Sequence, residues 1–192
     1  MVQHIDDTAM DVVQQIHARF VHGGMTVLDL MSSWQTHLPE NTDLRKLTGL
    51  GLNEVELQRN KMLGAYRIHD LNADPALPFG DRIFDAVLCS LSVEYLIHPL
   101  VVFSEVARVL KPGGTFVVTF SNRWFEPKTI RLWTELHEFE RMGLVLEYFR
   151  STPWFDALHT YSVRGLVRPP NDKYYGRLPY ADPVYAVWGK RK

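Results

Sequence analysis

Short apolar segments alternate with amphipathic, helical segments along most of this chain, and few folds accommodate that alternation. The apolar segments have the length and makeup of buried strands, and they occupy residues 25–30, 46–52, 65–71, 84–90 and 115–121. Because parallel strands are joined by crossovers of a dozen or more residues, usually helices, the pattern predicts an α/β fold with a doubly wound sheet flanked by helices.

Apolar residues spaced three or four apart predict three helices. The first begins at residues 6–8, which are of helix-capping types, and ends before Gly23. The second covers residues 99–110 and ends at Lys-Pro-Gly-Gly (111–114), because proline cannot continue a helix and glycine permits a left-handed turn. The third covers residues 128–142.

The size and composition suit a single domain. The chain has 192 residues, of which 46% are hydrophobic and 22% are charged, so it can bury a sizeable core. Two closing strands are predicted at 145–149 and 183–189. We divide the domain, residues 1–192, into an N-terminal helix (1–24), a sheet core (25–121) and a C-terminal part (122–192) that contains a loop at 150–182.

The charge balance indicates no polyanionic partner. Lys and Arg total 21 against 22 Asp and Glu, a formal net charge of −1, so we expect neither nucleic acid nor a membrane as partner. No apolar run approaches the roughly 20 residues of a membrane-spanning helix. The first ten residues have acids where a signal peptide has Lys or Arg. We expect a cytoplasmic protein, and the sequence leaves its oligomeric state open.

The cysteine and histidine content argues against metal and redox chemistry. Cys89 is the single cysteine, which excludes an internal disulfide and a multi-cysteine zinc site. Within a predicted strand, it is expected to be a small buried hydrophobe. His37, His69 and His98 are isolated, so no metal site is predicted.

Polar residues stand at or just beyond the ends of four predicted strands, namely Asp29, Asn53, Asp70 and Ser90. In an open α/β sheet, ligands bind outside the carboxyl ends of the strands where the strand order reverses. These four residues are therefore candidates for a binding site. An aspartate at a strand end also caps turns, so each has a structural alternative.

A more specific pattern joins these strand ends. Val-Leu-Asp-Leu (27–30) closes the first strand, Asp70 closes the third, Phe-Asp (84–85) opens the fourth, and Arg-Val-Leu-Lys-Pro-Gly-Gly (108–114) precedes the fifth. In this order and spacing the residues resemble the class I S-adenosylmethionine-dependent methyltransferases, of the type 11 or ubiquinone-biosynthesis-like branch. The resemblance covers residues 25–121, which would form the cofactor-binding core.

The resemblance implies a fold, a cofactor and several ligands. The fold is a mostly parallel seven-stranded sheet, Rossmann-like, with an antiparallel C-terminal strand pair that residues 145–149 and 183–189 would supply. The cofactor is S-adenosylmethionine. Asp29 would lie near its methionine moiety and Asp70 would meet its adenine amine, with Leu71 and Ser90 beside the same cleft.

The chain departs from the family at the glycine-rich loop. Asp-Leu-Met-Ser-Ser-Trp-Gln (29–35) places Met31, Ser33 and Gln35 at the three glycine positions. Glycine supplies positive φ and close approach of the backbone, and larger side chains remove both freedoms. Ser32 and Ser33 are candidates to bind the cofactor through their hydroxyls, and Met31 or Trp34 would fill part of the cleft.

The second strand departs as well, because Gly51 stands where the family has an acid that binds the ribose hydroxyls. Asn53 and Glu54 are the candidates to replace that acid. Asn53 is also an N-cap for the following helix, and we favour the cap.

Glu94 and Tyr95 are the predicted catalytic pair on the acceptor side. They follow the fourth strand, where a base for an oxygen or nitrogen acceptor would stand. The structural alternatives are a solvated first-turn acid for Glu94 and packing under the N-terminal helix for Tyr95. Other polar candidates nearby are Ser92, His98, Ser121, Asn122 and Arg123.

Two functions remain open from the sequence. One is transfer of a methyl group to a small-molecule acceptor, and the other is a catalytically inactive, methyltransferase-like binding or scaffolding module that has lost the glycine-rich loop. The basic and aromatic loop at 150–182 would contact an anionic or planar ligand, or else its aromatic residues pin it to the sheet.

Overall fold

The computed structural model describes residues 4–39 and 41–192, which form a seven-stranded sheet with helices on both faces. The strands are β1 (Thr26–Leu30), β2 (Lys46–Gly51), β3 (Ala65–Ile68), β4 (Phe84–Ser90), β5 (Leu110–Ser121), β6 (Phe155–Val163) and β7 (Val184–Arg191). The helices are α1 (Asp7–Ala18), α2 (Glu54–Arg59), α3 (Pro99–Val109), α4 (Arg131–Glu135) and α5 (Glu138–Arg150). Short 3₁₀ helices span Val93–Tyr95 and Glu126–Lys128.

The strand order is β3-β2-β1-β4-β5-β7-β6. Strands β1 to β5 run parallel, β7 is antiparallel to β5, and β6 is antiparallel to β7. The chain winds outward from β1 to β3 and then returns to pair β4 with β1, so the strand order reverses between β1 and β4. The predicted doubly wound, mostly parallel sheet with an antiparallel C-terminal pair is confirmed.

One member of that antiparallel pair was predicted wrongly. Residues 145–149 are not a strand but lie within α5, and the partner of β7 is β6, inside the segment predicted as a loop. The apolar residues explain the difference. Val145, Tyr148 and Phe149 are spaced three and four apart and pack into the core on one face of α5.

The predicted helix over 128–142 is also different, because it is divided into α4 and α5. Leu136 and His137 are extended, and α5 begins at Glu138. The backbone N–H of His137 donates to the Glu140 carboxylate at 2.6 Å. The Glu140 side chain therefore caps the start of α5, which separates α5 from α4.

The other two predicted helices are confirmed. Asp6 is the N-cap of α1, and its side chain accepts from the backbone N–H of Ala9 at 3.0 Å. The second helix, α3, ends at Val109. Gly113 has φ of +77°, and a Cβ at Gly114 would meet the backbone carbonyls of Lys111 and Asp85. The predicted turn at 111–114 is therefore an irregular part of β5 itself, between the pairs Phe84–Leu110 and Ala86–Thr115.

Each face of the sheet has its own apolar layer, because successive side chains of a strand point to opposite faces. On one face, Val87 and Cys89 of β4 pack with α3 and α5. On the other, Ala86 and Leu88 pack with α1. The sheet is thus covered on both sides, and its carboxyl edge is left for ligands.

No helix in the described part of the chain has both the length and the apolarity needed to cross a membrane. Residues 4–39 and 41–192 hold no cluster of three or more His, Cys, Asp or Glu side chains suited to a metal ion. Cys89 is a free thiol buried in β4, and burial raises its pKa well above the usual value. It is therefore held as a neutral thiol.

Candidate functional site

A cavity of about 480 Å³ opens at the carboxyl ends of the parallel strands, beside the reversal of strand order. Its wall comes from His4 and from the segments at the ends of β1 to β5. The lining residues are His4, Met31, Ser32, Ser33, Leu50, Gly51, Leu52, Asn53, Glu56, His69, Asp70, Leu71, Asn72, Ser92, Tyr95, Phe125 and Lys128. This is where open α/β sheets bind their ligands.

The glycine-free loop after β1 keeps a glycine-like backbone at one position. Met31 has φ of +58°, in the left-handed region that glycine enters freely and larger residues rarely adopt. The backbone N–H of Ser32 donates to the carbonyl of Leu50 at 2.7 Å, which fastens the loop to the end of β2. The Met31 side chain contributes to the cavity wall.

Gly51 and the loop are matched in shape. A Cβ at Gly51 would collide with the carbonyl oxygen of Ser32, a backbone atom that cannot move away alone. A side chain of any kind, including the acid of the family, is therefore excluded at position 51 while the loop keeps this path. The path of the loop after β1 therefore requires a glycine at position 51.

Asp29 lies behind the cavity wall and not on it. Its Oδ2 atom accepts hydrogen bonds from the hydroxyls of Ser32 at 2.6 Å and Thr36 at 2.8 Å. Asn60 extends this network by donating to the Thr36 hydroxyl at 2.9 Å and to the carbonyl of Ser33 at 3.0 Å. Burial raises the pKa of Asp29 to about 6. In the structure, Asp29 holds the loop.

Glu56 is the carboxylate that reaches the cavity near the end of β2. Its Oε2 atom accepts from the Ser33 hydroxyl at 2.5 Å, and its Oε1 atom accepts from the Asn53 side-chain amide at 3.1 Å. Asn53 is also the N-cap of α2, accepting from the backbone N–H groups of Val55 and Glu56, as favoured from the sequence. The sequence reasoning missed Glu56, although a glutamate three residues after an N-cap is a recognisable spacing.

Asp70 lines the cavity and also caps its own turn, so the turn-capping alternative is confirmed and its role as a cofactor ligand stays a prediction. Its side chain accepts from the backbone N–H of Asn72 at 2.9 Å. The Asn72 side chain in turn donates to the carbonyl of Tyr95 at 2.8 Å and accepts from the N–H of Ile97 at 2.9 Å. The turn after β3 is therefore tied to the segment after β4.

Tyr95 lies on the cavity wall, and its hydroxyl accepts from the backbone N–H of Phe125 at 2.9 Å. Burial, reinforced by the charge of Glu94, raises its pKa to about 12, so the hydroxyl stays protonated at neutral pH. This contact joins the segments that follow β4 and β5.

Glu94 is buried beneath this wall, with 1% of its surface exposed, so the alternative of a solvated acid is wrong. Its Oε2 atom has no hydrogen-bond partner among the described residues. Burial raises the pKa of Glu94 to about 7, and the charge of Arg141 opposes that rise. Glu94 is a buried acid poised near neutrality.

The structure therefore brings together most of the predicted site residues but not all of them. Those on the wall are Met31, Ser32, Ser33, Asn53, Asp70, Leu71, Ser92 and Tyr95. Asp29, Ser90 and Glu94 are not on the wall, and Trp34 lines a separate small cavity. Besides Glu56, the sequence reasoning missed Asn72, Phe125 and Lys128, which come from a turn, a loop and a short 3₁₀ helix without a local signal.

The chain is similar to methyltransferases in sequence. A profile of the family described as "Methyltransferase domain" matches residues 32–118. The malonyl-[acyl-carrier protein] O-methyltransferase of Marinomonas sp. (strain MWYL1) is 29% identical over 110 residues, which is 57% of this chain and 40% of that protein. The ubiquinone/menaquinone biosynthesis C-methyltransferase UbiE of Chromobacterium violaceum is 31% identical over 99 residues, or 50% of this chain and 40% of that protein.

Solved structures extend the likeness to the whole fold. A SAM-dependent methyltransferase from Aquifex aeolicus superposes with a TM-score of 0.60 at 16% identity, covering 98% of this chain and 92% of that chain. At that identity the likeness concerns the fold alone. The aligned part of this chain spans two fifths of the length of the two curated relatives, 40% in each case.

Proposed function

We propose that this chain is a class I S-adenosylmethionine-dependent methyltransferase that transfers a methyl group to a small-molecule acceptor, because residues 32–118 match a methyltransferase-domain profile and curated methyltransferases are similar to it. S-adenosylmethionine is the cofactor of this family, as the sequence resemblance implies. The observation that most supports the proposal is the 480 Å³ cavity at the reversal of strand order, with Glu56 and Asp70 on its wall.

The residues present suit this cofactor. Two carboxylates line the cavity, and a methyl donor of this kind presents hydroxyls, amines and a positive sulfonium that pair with carboxylates and carbonyls. When bound, the cofactor supplies an electrophilic methyl group on sulfur.

We assign the polar groups of the wall as follows. Asp70 receives the adenine amine, and Glu56 takes the ribose hydroxyls in place of the acid that Gly51 excludes. Asp29 acts through the loop that it holds, so it positions Ser32 and Ser33 and does not itself touch the cofactor. The hydrogen bonds from Ser33 and Asn53 to Glu56 support its assignment, because they fix both carboxylate oxygens in place.

The acceptor end is assigned to the side of the cavity formed after β4 and β5. Methyl transfer is an in-line displacement at carbon, in which an enzyme mainly positions the acceptor and excludes water. Tyr95 and Phe125 supply an apolar, water-excluding surface there, and Lys128 supplies a cation. Glu94 has no atom on the wall, so we assign it a positioning role beneath Tyr95.

Calorimetric titration with S-adenosylmethionine and S-adenosylhomocysteine tests the proposal. We expect micromolar binding by the wild type, weakened about tenfold or more by Asp70→Ala, which removes a charged hydrogen-bond partner. Asp74→Ala is the matched control, because Asp74 belongs to the same turn but does not line the cavity. The absence of binding at millimolar ligand would overturn the proposal in favour of the inactive binding module.

A further inference from the structure

A second cavity, of about 320 Å³, opens at the same edge of the sheet, on the side of the antiparallel strands. Its wall is formed by Asn122 and Arg123 after β5, by Glu138 at the start of α5, and by parts of the segment between β6 and β7, residues 164–183. It shares no lining residue with the first cavity. The segment after β5 nevertheless links the two, because Phe125 and Lys128 line the first.

One arginine of this wall has a structural role. The Arg168 side chain is 2% exposed and donates to the carbonyl of Tyr180 at 2.9 Å, to Asp172 at 2.8 Å and to Asp182 at 2.7 Å. All three of its guanidinium nitrogens are thus engaged. Arg168 fastens the ends of the β6–β7 segment to each other and leaves ligand binding to its neighbours.

The guanidinium groups of Arg123 and Arg164 are far less engaged. Arg123 donates one hydrogen bond, from Nε to Asp182 at 3.0 Å, and it lies over the Tyr174 ring at 4.5 Å. Arg164 has a half-exposed side chain and contacts Glu138 at 3.5 Å, which is longer than a good hydrogen bond. Most N–H groups of these two guanidinium groups have no acceptor in the described part of the chain.

The two acids of the wall already have their own partners. The Tyr185 hydroxyl donates to Oε2 of Glu138, and the Asn122 amide donates to Oε1 at 3.3 Å. Asp182 receives Arg123 and Arg168 on one oxygen and the backbone N–H of Asp6 on the other at 3.2 Å. The donors that remain for a ligand are the N–H groups of the Arg123 and Arg164 guanidinium groups. Their planar arrangement matches the oxygen atoms of an oxyanion.

We propose that this second cavity binds an oxyanion, a carboxylate or a phosphate, of the methyl acceptor through Arg123 and Arg164. The assignment to the acceptor rests on the proposed function and on the continuity of the segment from Asn122 to Lys128 between the two cavities. The sequence analysis predicted that the basic segment 150–182 contacts an anionic ligand. Within that segment, the proposal assigns the contact to Arg164. The acceptor would be a small anionic molecule.

Isothermal titration of the wild type with inorganic phosphate and with succinate tests the site directly. We expect millimolar binding of at least one of the two, and the stronger of them identifies the source of the oxyanion. Arg164→Gln should weaken that binding about tenfold or more and leave the affinity for S-adenosylhomocysteine unchanged. Arg177→Gln is the matched control, an exposed arginine of the same segment that does not line the cavity.

A second measurement on the wild type does not depend on a variant. Titration with the same anion should shift the amide resonance of Gly165, which lines the cavity, and not that of Gly80, a loop residue outside the cavity wall. No binding of either anion, equal binding by Arg164→Gln, or an unmoved Gly165 resonance would overturn the proposal. If the wild type does not bind S-adenosylhomocysteine, the proposed function is overturned, whether or not phosphate or succinate binds.

Discussion

The carbonyl oxygen of Ser32 occupies the space that a Cβ atom at Gly51 would need. Ser32 belongs to the loop after β1 and Gly51 ends β2, so two adjacent parallel strands meet here at their carboxyl ends. The loop can take this path only because position 51 has no side chain. The two positions at which the sequence departs from the pattern that its resemblance implies are therefore in contact, and the path of the loop requires the glycine.

Gly51→Ala is expected to destabilise the protein and to disturb the cofactor cavity together. The added methyl group must displace the backbone of Ser32, at a cost of about 1–3 kcal/mol, which lowers the melting temperature by roughly 2–12 °C. The loop bearing Ser33 moves with it, so affinity for S-adenosylhomocysteine should fall as well. Calorimetry of unfolding and of binding measures both effects.

Gly80→Ala is the control for that substitution, because a Cβ at Gly80 would meet no atom within 4 Å. Gly51→Asp makes the test sharper. It restores the family's acid at the end of β2, yet we expect it to bind S-adenosylhomocysteine worse than the wild type because the Ser32 carbonyl fills that space. A gain in affinity would contradict the steric argument.

Glu56→Gln is expected to weaken S-adenosylhomocysteine about tenfold, because it removes the carboxylate assigned to the ribose hydroxyls. An analogue of the ligand without those hydroxyls should bind the wild type weakly and should lose little more on Glu56→Gln. Glu54→Gln, on the same helical turn but outside the cavity wall, is the matched control. If the variant discriminates the two ligands as strongly as the wild type does, the assignment of Glu56 is wrong.

The sheet was predictable because its signals are local. The parallel strands were predicted from short apolar runs, and Asp70 and the Pro-Gly-Gly segment at 112–114 stand at fixed positions along those runs. The run at 145–149 misled because five apolar-rich residues fit a strand or a buried helix equally well. The segment is helical because Val145 and Phe149 then lie on one face of the helix and pack into the core.

The site was less predictable because it depends on contacts between distant residues. Ser33 and Glu56 are 23 positions apart, and their hydrogen bond follows from the path of the loop rather than from any local pattern. The pKa of Glu94 likewise depends on residues that come later in the chain, including Arg141, whose charge opposes the rise that burial causes. Long-range packing decides which acids face the cavity and which lie beneath it.

Arg168→Met is expected to reduce the free energy of unfolding by about 3–5 kcal/mol, because it leaves Asp6, Asp172 and Asp182 without their shared cation. Asp6 caps α1, so the loss reaches from the β6–β7 segment to the N-terminal helix. Urea unfolding measures the effect. Arg177→Met, at an exposed position, should change stability by no more than about 0.5 kcal/mol, and an equal loss in both variants would refute the role of this cluster.

Glu94→Gln should change how stability depends on pH. Burial raises the pKa of Glu94 from 4.5 in the unfolded chain to about 7 in the folded protein. The folded state therefore binds a proton that the unfolded state lacks between these values, and the contribution of Glu94 to stability falls as the pH rises through that window. Above about pH 7 the ionised, buried carboxylate costs on the order of 3 kcal/mol.

The variant, which has no proton to lose, should be stabilised relative to the wild type above about pH 7, and the difference should shrink as the pH falls toward 4.5. Denaturant unfolding across this range measures the difference directly. Glu135→Gln is the control, because Glu135 is an exposed carboxylate paired with Arg131. It measures how the loss of a surface acid changes the dependence of stability on pH. A constant offset between Glu94→Gln and the wild type at every pH would show that Glu94 does not titrate near neutrality, because a buried acid with a raised pKa must give a sloping difference.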